Sequence, residues 1–291
     1  MTIKSIERII APPPPHMVGD GFRVHGFLPG DGRLGKHRMS PFFMLDYASL
    51  VEFSPTDTPR GVGVHPHRGF ETVTIAYKGR IAHHDSAGHH GIIGEGDVQW
   101  MTAASGLLHK EYHEESFSKQ GGPFQMVQIW VNLPAKHKMD PPAYQEITHE
   151  NMGKHRLPNE QGVVEVIAGN FQGTKGPART FTPIEMYNLK LKAGTNLTLN
   201  LPASYSTALL IIEGSAIVNS EKAPADHFIL FLQDGEQIQI SAEQDAVILV
   251  LSGEPINEPI AAYGPFLMNQ WSEIEQAIQD FNTGKFGVLE D

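Results

Sequence analysis

The sequence predicts an all-β protein made of two barrels in tandem. Apolar and polar residues alternate with a period of two over most of the 291 residues, and Gly, Pro, Asn and Asp interrupt the runs at short intervals. Both halves of the chain share this rhythm. A hydrophobic fraction of 40% is typical of a globular protein, and the length is sufficient for two cores.

The first half, residues 1–134, forms the first predicted domain. Its alternating runs predict strands at 71–77, 91–94, 96–101 and 124–133. In the last of these strands Phe124, Met126, Gln128 and Trp130 share one face, because side chains alternate along a strand. The sequence Asp85-Ser86-Ala87-Gly88 is typical of a hairpin turn.

Residues 135–161 are rich in Pro, Lys, His and Asn and predict a linker, which leaves 162–291 as the second domain. The strands predicted there are 163–167, 186–192, 196–201, 207–219, 228–232, 237–241 and 246–251. A helix closes the chain. Its N-terminus is predicted from the capping box Ser272-Glu273-Ile274-Glu275, and its apolar residues recur at helical spacing before Gly284. We expect this helix to pack on the second barrel.

Charge and composition exclude several classes of function. A net charge of -11 and a pI near 5.7 provide no basic surface for a nucleic acid backbone. The chain has no cysteine, which excludes disulfides, thiolate nucleophiles and cysteine-based zinc sites. No apolar run has the length of a signal peptide or a membrane span. The sequence therefore predicts a soluble cytoplasmic protein that binds neither nucleic acid nor membrane.

Two short motifs, His65-Pro66-His67 and His109-Lys110-Glu111, predict a metal site. On extended strands each motif places its two outer side chains on one face, so strands facing each other inside a barrel can hold one ion with all four groups. Nitrogen and oxygen ligands without thiolate suit Fe, Mn, Ni, Cu or Zn. We expect one metal ion, since the second half offers only His227. The pairs His83-His84 and His89-His90 flank the predicted hairpin turn and are expected to be exposed.

Four segments resemble the pirin family of the cupin superfamily, namely 65–74, 96–103, 109–111 and 128–138, and the resemblance extends to 253–256, 263–269 and the closing helix. It implies two cupin barrels, with one iron in the N-terminal barrel held by His65, His67, His109 and Glu111, and no metal ligands in the C-terminal barrel. Glu71 follows the cupin pattern without being a ligand. Ala104 stands where the family pattern leads us to expect glycine, and it would be strained if the turn requires a positive φ.

The resemblance also implies quercetin 2,3-dioxygenase activity, in which O₂ opens the ring of a flavonol and carbon monoxide is released. Iron supply in the cytoplasm and the resemblance favour Fe(II). Glu111 is then either a general base for the substrate hydroxyl or a purely structural ligand. Candidates for an apolar substrate pocket, which are otherwise core residues, are Phe43, Leu45, Trp100 and Met101.

Other interpretations of these residues remain open. Arg68 and Glu71 either orient the imidazoles or pair with each other. Some pirins are described as iron- and redox-sensitive regulators that bind transcription or metabolic proteins, so a non-enzymatic role with a protein partner is the main alternative. A sugar or small-acid isomerase is a third candidate, which the scarcity of basic residues near the motifs disfavours.

Overall fold

The structure is a computed structural model that describes residues 2–29 and 34–290. The expected all-β class is confirmed, because strands account for most of the ordered elements and the described residues contain two α-helices. No helix in these two ranges is both long and apolar enough to cross a membrane.

The strands before residue 150 are β1 (Ile6–Ile10), β2 (His16–Val18), β3 (Phe22–Leu28), β4 (Phe42–Phe53), β5 (Gly61–His67), β6 (Phe70–Lys78), β7 (Ile81–Asp85), β8 (His90–Ile93), β9 (Val98–Thr102), β10 (Leu107–His113), β11 (Gly122–Asn132) and β12 (Ala143–Ile147). Those that follow are β13 (Gly153–Arg156), β14 (Gly162–Ala168), β15 (Asn170–Phe171), β16 (Thr174–Lys175), β17 (Ile184–Leu191), β18 (Asn196–Asn200), β19 (Ser206–Glu213), β20 (Ser215–Val218), β21 (Glu221–Pro224), β22 (Phe228–Phe231), β23 (Gln237–Ala242), β24 (Ala246–Gly253), β25 (Ala261–Tyr263) and β26 (Phe266–Met268). The helices are α1 (Glu115–Gln120) and α2 (Trp271–Asn282).

The chain divides into two compact units whose limits differ from the predicted domains. The N-terminal barrel comprises Pro14–His37, Phe42–His149 and Ile256–Asp291, and the C-terminal barrel comprises Met1–Pro13, Arg38–Pro41 and Glu150–Pro255. Residues 135–161, for which a linker is predicted, include β12 and β13, which are edge strands of the two units. Edge strands are short and half exposed, so their apolar alternation is weak in the sequence.

The N-terminal barrel consists of two antiparallel sheets and a hairpin. The larger sheet has seven strands in the order β12-β9-β6-β11-β4-β3-β2, and the smaller has four in the order β5-β10-β7-β8. Strands β25 and β26 form the hairpin. Because β10 lies between β5 and β7, it brings the two predicted ligand motifs and the first histidine pair into one small sheet.

The C-terminal barrel repeats this plan. It has a seven-stranded sheet in the order β1-β22-β19-β24-β17-β14-β13 and a four-stranded sheet in the order β18-β23-β20-β21, with β15 and β16 as a separate pair. Its buried cluster is dominated by Leu, Ile, Val and Ala side chains. Within the described residues, every group of three or more side chains that could hold a metal ion lies in the N-terminal barrel.

Helix α2 begins and packs differently from the expectation. Its N-cap is Gln270, not Ser272, and the Glu273 carboxylate accepts a hydrogen bond from the Gln270 backbone at 2.8 Å. The buried Ile274 and Ala277 join a cluster with the β25-β26 hairpin and Phe286. The helix therefore belongs to the N-terminal barrel, and its predicted packing on the second barrel is wrong.

Candidate metal centre and its cavity

The pairing of β5 with β10 brings three histidines together. His109 lies directly opposite His65, and Leu107 lies opposite His67. The ring of His109 is centred 4.2 Å from that of His65 and 4.6 Å from that of His67. One nitrogen from each of the three rings lies within 4.8 Å of the others, so the three imidazoles can converge on one ion.

Glu111 belongs to a second group that shares His109. A register shift after His109 places Glu111 opposite Val62 of β5, and it lies opposite His83 of β7. Ligand atoms of His83, His109 and Glu111 lie within 4.8 Å of one another. His109 is thus common to both groups, and the full set of four ligands remains a prediction.

The expected exposure of His83 is wrong, since the side chain is fully buried. His84 does turn to the other face, where its ring stacks on that of Tyr112. The Nε2 of His83 donates to Asp85 Oδ2 at 3.2 Å. His83 and Asp85 are separated by one residue, as are His65 and His67, and this shared spacing is the sequence signal for a common inward face.

The buried ring nitrogens of this cluster fit a metal ion. Both nitrogens of His109 and the Nδ1 atoms of His67 and His83 have no hydrogen-bond partner among the described residues. The Gly63 carbonyl can only accept, so the Nδ1 of His65 donates to it at 2.8 Å and leaves Nε2 with a lone pair. Buried polar atoms without partners are rare in proteins, and a bound cation would satisfy one lone pair of each ring.

Burial favours the neutral form of His67 and His109. Burial lowers the pKa of His67 well below the usual value, and the neighbouring His65 lowers it further. A hydrogen bond to the Pro265 backbone offsets a part of this lowering. Burial likewise lowers the pKa of His109, and the neighbouring imidazoles add to the effect. A neutral imidazole has the free lone pair that a metal ligand requires.

Three side chains of the larger sheet hold the carboxylate of Glu111. Its Oε1 accepts from Thr74 Oγ1 at 3.2 Å and from Gln99 Nε2 at 3.1 Å, and its Oε2 accepts from Gln128 Nε2 at 2.6 Å. Such donors fix the orientation of the carboxylate. Sequence reasoning missed all three, although the shared face of Gln128 and Trp130 in the predicted strand 124–133 is a signal for one of them.

A cavity of about 360 Å³ adjoins the cluster. His65, His67 and Glu111 contribute to its wall, together with Asp46 and Gln128. The rest of the wall is mainly apolar and includes Val18, Phe22, Val24, Met44, Val62, Met126, Trp130 and Pro265. A largely apolar cavity with a few polar groups at one side is typical of a small-molecule site.

Two family models match the chain. The family model described as Pirin matches residues 22–131, and the model of the Pirin C-terminal cupin domain matches residues 186–287. The chain belongs to the pirin family. The fold therefore consists of two tandem cupin domains, as the resemblance implies.

Relatives of this pirin cover nearly its whole length. A protein of Pseudomonas aeruginosa is 48% identical over 271 residues, which are 93% of this chain and 94% of that protein. Pirin-like protein 2 of Arabidopsis thaliana is 38% identical over 279 residues, which are 92% of this chain and 81% of that protein. The crystal structure of quercetin 2,3-dioxygenase from Acinetobacter baumannii is 44% identical, covers 99% of this chain and all of its own, and has a TM-score of 0.93.

None of the four pocket residues predicted from the sequence lines the cavity of this pirin. Met44 and Asp46 line it, so Leu45 between them faces the opposite side of the sheet. Trp100 also faces away from the cavity. Its neighbour on β9, Gln99, points to Glu111, and adjacent side chains of a strand point to opposite faces. Met101 packs in a cluster with Ala103 and Leu107, and Phe43 stacks on Trp130 outside the lining.

Arg68 and Glu71 neither orient the imidazoles nor pair with each other. Arg68 Nη1 donates to Asp280 Oδ2 of α2 at 2.9 Å, and its Nε donates to the carbonyl of Ser105 at 2.7 Å. Glu71 accepts from the hydroxyl of Thr102 at 2.7 Å. Both residues of this pirin thus support the scaffold around the metal cluster.

Proposed function

We propose that this pirin is a metal-dependent dioxygenase that opens the ring of quercetin-like flavonols with O₂ and releases carbon monoxide. The observation that supports this most directly is the cluster of His65, His67 and Glu111 in the wall of an apolar cavity of about 360 Å³. That volume lies within the range of sites for small organic ligands. The 44% identical neighbour named quercetin 2,3-dioxygenase supports the choice of reaction.

The proposed ligands of one divalent ion are His65, His67, His109 and Glu111. Three imidazoles and a carboxylate suit Fe(II), which we propose, and also Mn, Ni, Cu or Zn. When bound, the ion supplies a Lewis acid for a phenolic oxygen and redox chemistry for the reaction with O₂.

The protein side chains bind and orient the substrate and receive its proton. The apolar wall excludes water and packs against a planar ring, with Trp130 as its aromatic surface. Gln99 and Gln128 hold the carboxylate of Glu111 in a fixed orientation. In this proposal Glu111 Oε1 or Oε2 accepts the proton of the flavonol 3-hydroxyl as general base, in addition to serving as a ligand.

The test begins with anaerobic loading of the protein with Fe(II), followed by air and quercetin. Loss of the flavonol absorbance and release of carbon monoxide are measured for the wild type and for His65→Ala and Glu111→Gln. We expect turnover in the wild type only. His90→Ala is the matched control, since His90 is an exposed residue of the same sheet, and it should keep full activity.

The variants also separate the two roles of Glu111. If Glu111→Gln keeps its iron but loses turnover, the result supports Glu111 as a general base. If the variant loses both iron and turnover, Glu111 is identified only as a metal ligand. A wild type that binds iron stoichiometrically and consumes no quercetin overturns the dioxygenase and favours the regulatory alternative.

A further inference from the structure

The cavity contains a second carboxylate, that of Asp46, which the proposed metal chemistry does not use. Asp46 lies on β4 opposite Gln128 of β11 and opposite Gly26 of β3. Because it alternates with Leu45, it shares the cavity face with Met44. Its carboxylate and that of Glu111 are therefore two separate acidic groups on one cavity wall.

The two carboxylates differ in their hydrogen bonds. Glu111 accepts from Thr74, Gln99 and Gln128. No side chain or backbone group in the described part of the chain donates to the carboxylate of Asp46, a half-buried residue of the cavity wall. A carboxylate that is partly withdrawn from water and has no donor within the protein can accept a hydrogen bond from a ligand in the cavity.

The surroundings of Asp46 leave the cavity as the source of a donor. Burial raises the pKa of Asp46 to about 6, and His16 only partly opposes this effect. At neutral pH the group is therefore mainly an ionised acceptor. Gln128, opposite Asp46 in the wall, directs its Nε2 to Glu111 instead. Apolar side chains such as Val24 and Met126 also line the cavity and cannot donate. A hydroxyl group of a bound ligand can donate a hydrogen bond to the Asp46 carboxylate.

We propose that Asp46 is a specificity-determining residue that accepts a hydrogen bond from a phenolic hydroxyl of the substrate other than the one that meets the metal. This inference rests on the proposed function for its class of ligand, a flat polyhydroxylated aromatic. The apolar walls hold the ring system without distinguishing its edges, whereas a carboxylate at one position favours the orientation that brings a hydroxyl to it. A hydrogen bond to a charged group corresponds to roughly 10- to 100-fold in affinity.

Two flavonols that differ only in their additional hydroxyls test the proposal. Quercetin carries several besides the 3-hydroxyl, and 3-hydroxyflavone carries none. Their dissociation constants are measured by tryptophan fluorescence quenching on the Fe(II)-loaded protein without O₂, so that binding is observed without turnover. We expect the wild type to bind quercetin at least 10-fold more tightly, and Asp46→Leu to lose that preference while binding 3-hydroxyflavone no more weakly.

Two further variants keep the result interpretable. Asp46→Asn preserves the shape and one acceptor oxygen, so we expect an intermediate preference even if Asp46→Leu fails to fold. Glu52→Leu removes an exposed carboxylate of the same strand and should leave the preference unchanged. A quercetin preference that survives in folded, iron-loaded Asp46→Asn and Asp46→Leu overturns the role of Asp46.

The binding result is independent of catalysis. Loss of the preference in Asp46→Leu together with no turnover by the wild type supports Asp46 and overturns the dioxygenase. Turnover by the wild type together with an unaltered quercetin preference in the variants supports the dioxygenase and overturns the role of Asp46. If neither compound binds to the wild type, both proposals fail.

Discussion

Single side chains of the larger sheet prepare Glu111 for its role. Gln128 and Gln99 approach its two oxygens from different strands, β11 and β9, so the carboxylate cannot rotate without breaking a hydrogen bond. The histidines differ in this respect. His109 is buried with both ring nitrogens free of partners among the described residues, so its orientation depends on packing and, in our proposal, on the ion.

Ala104 is a strained residue beside this site. Its φ of 40° lies in the left-handed region, as the sequence suggested for a position where glycine was expected, and its carbonyl accepts from Gly69 at 2.8 Å. Glycine avoids the steric cost of about 1–2 kcal/mol but loses more chain entropy on folding, about 0.5–1 kcal/mol. Loss of the buried methyl costs about a further 0.8 kcal/mol. We therefore expect Ala104→Gly to leave the free energy of unfolding nearly unchanged, measured by urea denaturation.

The neighbouring Ala103 provides the control for that measurement. It is equally buried but is not among the residues with positive φ, so Ala103→Gly should lower the free energy of unfolding by about 1 kcal/mol. Equal destabilisation by the two substitutions would show that Ala104 is not strained.

Strands β6 and β9 are joined by a side-chain hydrogen bond. Glu71 of β6 accepts it from Thr102 of β9, and both residues are buried. Burial raises the pKa of Glu71 to about 7, and the Thr102 hydroxyl offsets part of the effect. The native pKa thus exceeds the unfolded value near 4.3. The contribution of Glu71 to stability is complete below about pH 4.3 and is lost as pH rises through 7.

The Glu71→Gln side chain cannot ionise. The free energy of unfolding of this variant should therefore fall less than that of the wild type as the pH rises towards 7. Relative to the wild type, we expect the variant to gain on the order of 2 kcal/mol in unfolding free energy between pH 5.5 and pH 8.5, measured by urea denaturation. Glu95→Gln, which neutralises an exposed carboxylate in the same barrel, should show no such gain. A gain of equal size in both variants would exclude burial of Glu71 as the cause.

Over the whole molecule, the end of the chain is tied to the strand that carries the first histidine motif. Arg68 follows His67 directly, pairs with Asp280 of α2, and lies with its guanidinium carbon 4.6 Å from the centre of the Phe286 ring. Lys285 and Arg68 hold the pKa of Asp280 well below its usual range. The C-terminal residues of the chain therefore support the N-terminal barrel.

Asp280→Asn should destabilise the protein by roughly 3 kcal/mol, because it leaves the buried Arg68 without its ionic partner. Urea denaturation at pH 7 measures the loss, and Glu275→Gln on the exposed side of α2 is the control. Since the native pKa of Asp280 is depressed, its contribution is present above pH 4 and lost on acidification. The gap between variant and wild type should therefore narrow at low pH, and a constant gap would contradict the ionic explanation.

The sequence alone determined the all-β class, most strands, the family and the two motifs on β5 and β10. The all-β class, the strands and the shared faces of the motifs depend on period-two alternation within a few residues, which is local and set by strand geometry. The family was identified from the resemblance of the motifs themselves. Alternation places His83 and His84 on opposite faces of β7, but the sequence predicted both to be exposed. The burial of His83 depends on β7 lying next to β10.

Only the tertiary structure decided which side chains meet. Gln99 and Gln128 approach Glu111 from strands of the other sheet, and Asp46 replaces Leu45 in the cavity wall. Helix α2 belongs to the N-terminal barrel, where its Asp280 pairs with Arg68. Each of these contacts depends on the register and pairing of strands far apart in the chain. Local patterns define which faces of a strand are apolar, whereas the pairing of strands defines what those faces contact.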